Sequence, residues 1–579
     1  MLTAPARRGL TLPAFFPRPD GRAVILTAVT GLVLYLTVIP LLVMMWFSFR
    51  TAGPAEVGGT FTLDKYAEAY FNPTTYQLLA NTAIFVAGAT VVGLSLGVAF
   101  AWLVERTNVP LRGFAYVVVP LTAATPGVLF AISWIMLLSP RIGLYNVPFT
   151  QWLGWERPPF QPYSLFGMIV IEGIRIIPTV FLMVIGLFRT MDPALEEAAA
   201  STGAGTWTTL RKVTLPMMLP GILAVLIYMC TGLMGAFEIP ALLGMQDGVY
   251  VFSTRIYVAT HKMPRDYGLA GSLSTVFAIT AIIGILLYHR MLRVQQRFAT
   301  VTGKAFRPRV MDLGRLRYVG ATAIILYFVF IVLIPGLILI WASLQPFYQV
   351  PSPQALRQVS LDAYWRLFSM PWLPDALRNT GILLLVVPTA VMGLSAVVSW
   401  IVVRTGMRGR KLLDSLVFLP HTMPSIVIGL SFLWMYLVLD FIPIYGTIWL
   451  ISLAMLTSFL AFGTRTTNAA MYQLHQDLEE AGSVTGASWF TVFRKITLPL
   501  LVPTLIGGWV WVAIHAVREL TVALMLASPQ SRIVSVLIWN FWETGDTGMT
   551  AATGVLLILF IASILTAGRL ISVKMFKAS

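Results

Sequence analysis

Charge is scarce in this chain. Of its 579 residues only 11% are Asp, Glu, Lys or Arg, against 57% hydrophobic, whereas a soluble domain carries roughly 25% charged residues. That shortage excludes a water-soluble globular protein. Cysteine is scarcer still. Cys230 stands alone, which excludes an intrachain disulfide framework and argues against a cysteine-ligated metal site; lying in an apolar run, it is read as packing. The five histidines, His261, His289, His421, His475 and His515, are scattered with no pair at metal-ligand spacing, so no metal site is expected. A phosphate-binding G-x-x-x-x-G-K-[ST] run is also missing: Gly303-Lys304 is followed by Ala305 and lacks the upstream glycine.

What the chain has instead is long apolar runs. Twelve segments, centred near residues 36, 91, 127, 176, 231, 280, 331, 391, 426, 455, 513 and 560, reach the length of about 20 residues that a membrane-crossing helix needs. In hydrocarbon the backbone must satisfy its own hydrogen bonds, and helices do so. The expected class is an all-α polytopic membrane protein. Arg7, Arg8, Arg18 and Arg22 precede the first run, which is longer than a signal-peptide core and is read as an uncleaved span.

The formal charge of +16 suits a nucleic-acid partner by its sign but not by its placement. Twelve spans put both termini on one side. The basic excess falls in the loops of that side, while the opposite loops are balanced. By the positive-inside rule the termini are cytoplasmic, and the charge reports topology in a bilayer, with no nucleic-acid partner.

The chain also repeats itself. Residues 195–220 read LEEAAASTGAGTWTTLRKVTLPMMLP and residues 478–503 read LEEAGSVTGASWFTVFRKITLPLLVP, a gapless match at an offset of 283 with 14 of 26 positions identical. Fainter echoes occur at an offset of 298: Trp102, Arg106 and Thr107 return as Trp400, Arg404 and Thr405, and Asn81-Thr82 returns as Asn379-Thr380. The organisation read from this is a tail at 1–22, a six-span domain at 23–290, a basic linker at 291–317, a second six-span domain at 318–571 and a tail at 572–579. An even number of spans per half gives both halves one orientation, which excludes inverted-repeat carriers and leaves carriers with two parallel halves as a rival.

Each repeated loop reads as a short helix, a break at Gly203 or Gly486, and a second short helix. Trp207 and Leu210 in one copy, and Phe490 and Phe493 in the other, are three apart, the spacing of an apolar stripe that inserts into a partner or packs on a neighbour. Thr214 and Thr497 are expected to cap the following span, with Pro216 and Pro499 in its first turn.

The spacing Glu-Ala-Ala, three residues, Gly, nine residues, a β-branched residue, any residue, Leu-Pro resembles the signature loop of binding-protein-dependent ABC permeases. The first copy matches at Glu197, Ala198, Ala199, Gly203, Val213, Leu215 and Pro216. The second matches at Glu480, Ala481, Gly486, Ile496, Leu498 and Pro499, with Gly482 in place of the second alanine. The resemblance implies the type I ABC importer permease fold, here as two parallel six-helix repeats. It further implies that the loops couple to a separate cytoplasmic ATPase through Glu196, Glu197, Ala198, Ala199, Gly203, Trp207 and Leu210, and through Glu479, Glu480, Ala481, Gly482, Gly486, Phe490 and Phe493. The expected partners are two ATPase copies, which would hold the Mg-ATP, and a periplasmic binding protein. No cofactor is expected on this chain, and one copy is expected per complex in a bacterial inner membrane.

A charge at span depth costs about 2.5–3.5 kcal/mol on insertion scales, so each asks for a reason. Glu172 and Arg175, three apart, neutralise each other on one helical face, and His515 and Glu519, four apart, could do the same. Glu238 and Glu519 occupy similar places in the two halves and would suit a cation if both faced a shared pathway, whereas Arg518 would equally suit an oxyanion. The stretches 518–529 and 249–260 resemble those of ferric-iron importer permeases, which are often fused double permeases; related machinery carries polyamines, thiamine, or phosphonates and other phosphate esters. Segments 249–260 and 532–542 are expected to contact the binding protein.

Overall fold

The computed structural model describes residues 21–578 except 55, 57, 192–193, 264 and 298–309. The tail before Gly21 and the central part of the linker therefore lie outside the described residues. The chain is helical throughout its spans. Among the described residues nine helices are long and apolar enough to cross a membrane, and two bent helix pairs bring the number to eleven. The twelfth expected segment is the helix Tyr267–Arg297.

Spans three and nine are each a sharply bent helix pair. Arg112–Ala124 meets Gly127–Leu138 at 99°, and Arg410–His421 meets Ser425–Val438 at 106°. At each corner a 3₁₀ turn runs into a proline, Pro126 or Pro424, held at ψ 138° and 143°. Proline lacks the N–H that would continue the ladder, so the helix restarts in a new direction.

Small residues set the closest packing. The second span, Pro73–Arg106, is started by Asn72, whose side chain accepts the Thr74 N–H. It lies tightly along the fourth, Leu165–Thr190. A methyl on Gly93 would sit 2.2 Å from Ile176, one on Gly97 2.6 Å from Val180, and one on Gly173 2.6 Å from Val92. Glycine at these positions lets the two backbones approach, the usual source of helix association where no hydrophobic drive exists between helices in lipid.

The halves are interlocked through their first spans. Phe47 packs edge-on against Trp434 of the second half at 6.3 Å, the Tyr35 and Tyr436 hydroxyls are hydrogen-bonded, and Ser431 donates to the Met44 sulfur at 3.3 Å. Reciprocally, Tyr327 of span seven hydrogen-bonds Thr122 at 3.0 Å and the Val119 carbonyl at 3.3 Å, and Tyr348 donates to the Met136 carbonyl.

Candidate coupling loops and the buried charge cluster

Each repeated loop begins with a short helix, Ala194–Ser201 or Asp477–Val484. It turns at Gly203 or Gly486, both at φ +82°, a left-handed conformation that costs an L-residue roughly 1–2 kcal/mol. The chain then enters the next span through Thr206–Thr209 or Trp489–Val492. In both copies a π-type turn follows, Leu210–Thr214 or Phe493–Thr497.

The leading glutamate of each loop faces inward. Glu196 is fully buried and pairs with Arg106 at 3.2 Å, while its other oxygen accepts from Thr214 at 2.7 Å. In the second half Glu479 pairs with Arg404 at 3.1 Å and accepts from Thr497 at 3.0 Å. Arg106 also donates to the carbonyls of Phe188 and Met191 at 2.7 and 3.1 Å. Arg404 does the same to Met471 and Leu474 at 2.8 and 2.7 Å. The faint echo that holds Arg106 and Arg404 and the strong one are thus parts of one device, in which the end of span two grips the loop that follows span four.

Three expectations are corrected by this geometry. Thr214 and Thr497 do not cap a span, because helix runs through them as π turns and their hydroxyls are spent on the glutamates. Glu196 is an internal strut rather than a surface group; Glu197 and Ala198, and Glu480 and Ala481, are exposed instead. The apolar pairs split: Trp207 and Phe490 are 72% and 54% exposed, whereas Leu210 is buried and Phe493 packs on Trp400. Residues three apart differ by about 60° around a helix axis, enough to straddle the edge of the buried face. The Gly482 departure also has a reason. A methyl there would lie 2.8 Å from Ile496 and 3.1 Å from Val492, where the first half has the smaller Val213 and Thr209 beside Ala199.

The intramembrane charges converge from both halves. Arg175 donates to Glu172, its Nε at 3.0 Å, and Glu172 is buried while Arg175 keeps 32% of its side chain accessible. Arg518 donates to the carbonyl of Ala123, at the corner of the opposite half. The Glu238 carboxylate rests on Gly127 at that same corner, so close that a methyl on Gly127 would lie 1.7 Å from Glu238 Oε2. Glu238 lies in the field of Arg175, Arg518, Glu519 and Glu172. His515 and Glu519 do not pair with each other. His515 Nδ1 is 2.8 Å from the Trp511 carbonyl and its ring stacks on Trp511 at 3.6 Å; Glu519 accepts the Val522 N–H at 3.2 Å. Nor do Glu238 and Glu519 share a register. Ser253 donates to the Ala236 carbonyl and Ser535 to the Glu519 carbonyl, which makes Ala236 the counterpart of Glu519. Among the described residues no three His, Cys, Asp or Glu side chains are placed to hold a metal ion.

The segments expected to meet the binding protein form the helices Phe252–His261 and Val534–Glu543, and both are mostly buried. The Asn-Thr echo explains why. Thr82 accepts the Phe252 N–H at 3.2 Å and Thr380 the Val534 N–H at 3.1 Å. Asn81 donates to the Tyr250 carbonyl, and Asn379 to those of Gln530 and Arg532.

Two interlocked halves, a duplicated loop gripped from within and polar groups converging between the halves define a multi-pass membrane transport subunit. The family model of the binding-protein-dependent transport system inner membrane component matches residues 89–301 and 391–577, once in each half. The chain belongs to this family, and is an ABC importer permease of the inner membrane with both copies fused. It is 25% identical over 520 residues to the ferric transport system permease protein FbpB of Actinobacillus pleuropneumoniae, covering 88% of this chain and 73% of that one. It is 24% identical over 543 residues to the Fe(3+)-transport system permease protein FbpB 2 of Haemophilus influenzae, covering 92% and 96%. A diacetylchitobiose uptake system permease protein, NgcG of Streptomyces coelicolor, is 26% identical over 260 residues, 44% of this chain and 79% of that one.

Proposed function

We propose that this chain forms the whole translocation pathway of an ATP-driven importer for ferric iron, delivered by a periplasmic binding protein. The observation that carries the mechanism is the matched pair of grips, Arg106 on Glu196 and Arg404 on Glu479. A loop whose inner side is fixed to spans two and four passes a push to the bundle instead of folding under it. Two ATPase subunits, holding Mg-ATP, engage the exposed sides at Glu197 and Trp207 and at Glu480 and Phe490, with both termini and both loops in the cytoplasm. One copy of the chain then serves one complex. The cluster of Glu172, Arg175, Glu238, Arg518 and Glu519 marks the narrow part of the path, where groups from the two halves meet at a helix corner.

Ferric iron is favoured as cargo by the two relatives that match nearly the full fused length. Uptake of radiolabelled ferric iron into proteoliposomes, containing the full chain, its ATPase and an iron-loaded binding protein, tests this. ATP-dependent accumulation is expected; no uptake of iron, with uptake of a polyamine, sugar or oxyanion instead, would overturn the cargo.

A further inference from the structure

The linker between the halves does more than connect them. Its last described residues return to the first coupling loop. The Met311 N–H donates to the Arg106 carbonyl at 2.8 Å, and the Asn108 N–H to the Met311 carbonyl at 3.1 Å, forming a short parallel bridge between Thr107 and Met311. Asn108 adds two side-chain bonds, donating to Asp312 at 2.5 Å and accepting the Leu313 N–H at 3.0 Å. Thr206, which opens the second helix of the loop, donates to the Asp312 carbonyl at 3.3 Å. Asp312 is held as a carboxylate, its pKa lowered first by the Gly314 N–H and then by Asn108.

These bonds lie on the residues that hold the loop. Arg106 is the residue that grips Glu196, and Thr206 belongs to the loop itself. A few residues beyond Gly314 the chain enters Leu316–Tyr327, the start of span seven. That span carries Tyr327, which bonds the corner of the first half at Thr122 and Val119. In the second loop the place of Thr206 is taken by Trp489, which has no hydroxyl to donate and stacks instead on Trp400 at 5.0 Å.

We propose that Met311–Gly314 is a strap that joins the first coupling loop to span seven, so that a push on that loop moves the second half directly. Asn108, Thr206 and Asp312 are its positioning residues. The proposal rests on reading residues 194–214 as the ATPase-coupling loop. A passive tether would need only chain length. Five backbone and side-chain bonds at Met311, Asp312 and Leu313 instead hold one register, and they leave the linker no slack at this end.

Two measurements on the full chain test the strap. In a Cys230→Ser background, Thr107→Cys with Met311→Cys should form a disulfide in native membranes and still support transport, because a strap stays paired through the cycle. Absence of the cross-link, or transport arrested until it is reduced, would overturn the proposal. This arm needs no ATPase to form the bond, so it is separable from the coupling reading. In the second, spin labels at Ala198 and Tyr318 report the distance from loop to span seven in the complex with its ATPase. Mg-ATP should leave that distance unchanged in the native chain and shift or broaden it in Asn108→Ala/Thr206→Val. A shift in the native chain, or none in the variant, would refute the strap.

Discussion

Arg106 and Glu196 are 90 residues apart in sequence and 3.2 Å apart in space, with side-chain exposures of 1% and 0%. Taking one partner away leaves the other charged and buried, which costs about 3–5 kcal/mol. Glu196→Ala and Arg106→Ala should therefore lower the unfolding midpoint of the purified chain markedly. Glu479→Ala should cost less, because Glu479 retains 19% exposure. Equal losses in the two halves would show that burial does not set the difference.

One position on, the expectation reverses. Glu197 and Glu480 are exposed, so alanine at either should leave the unfolding midpoint within the ±0.5 kcal/mol or so usual for surface changes. The pair of substitutions should nevertheless abolish transport. A stability loss as large as that of Glu196→Ala would place these groups inside the fold.

At Gly203 a new side chain meets nothing within 4 Å, and only the positive φ opposes it. Asparagine tolerates the left-handed region better than alanine or valine. Uptake should therefore fall in the order Gly, Asn, Ala, Val at position 203. An alanine variant as active as the parent would mean that the turn is free to change conformation.

Gly127 and Glu238 should behave as a coupled pair. Gly127→Ala drives a methyl into the Glu238 carboxylate, and Glu238→Asp shortens the side chain by one methylene. Uptake lost in Gly127→Ala should be partly restored in the double variant, as expected of groups in direct contact. Additive losses would separate the two sites.

Much of this was readable from the residues. Apolar run length gave the spans, and the 283-residue repeat located both loops. What stayed hidden was direction. Glu196 and Glu197 are adjacent in one motif, yet one is a strut and the other a surface, and only the position of Arg106 decides which. The echo that holds Arg106 and Arg404 carried that information, but an echo within one span does not name its partner in another. The corners at Pro126 and Pro424 were likewise visible as prolines, without the roughly right-angled turn that tertiary packing gives them. The burial of 249–260 and 532–542 was not legible because the Asn-Thr pairs that tie these helices down lie more than 150 residues away in sequence.

The central claim is that the two loops are docking sites for a separate ATPase, and co-purification tests it most directly. The tagged chain, extracted in mild detergent, should bring down two ATPase subunits per copy. Glu197→Ala with Glu480→Ala should lose them while the chain itself stays folded and in the membrane. A chain that purifies alone, or a double variant that retains its ATPase, would contradict the account.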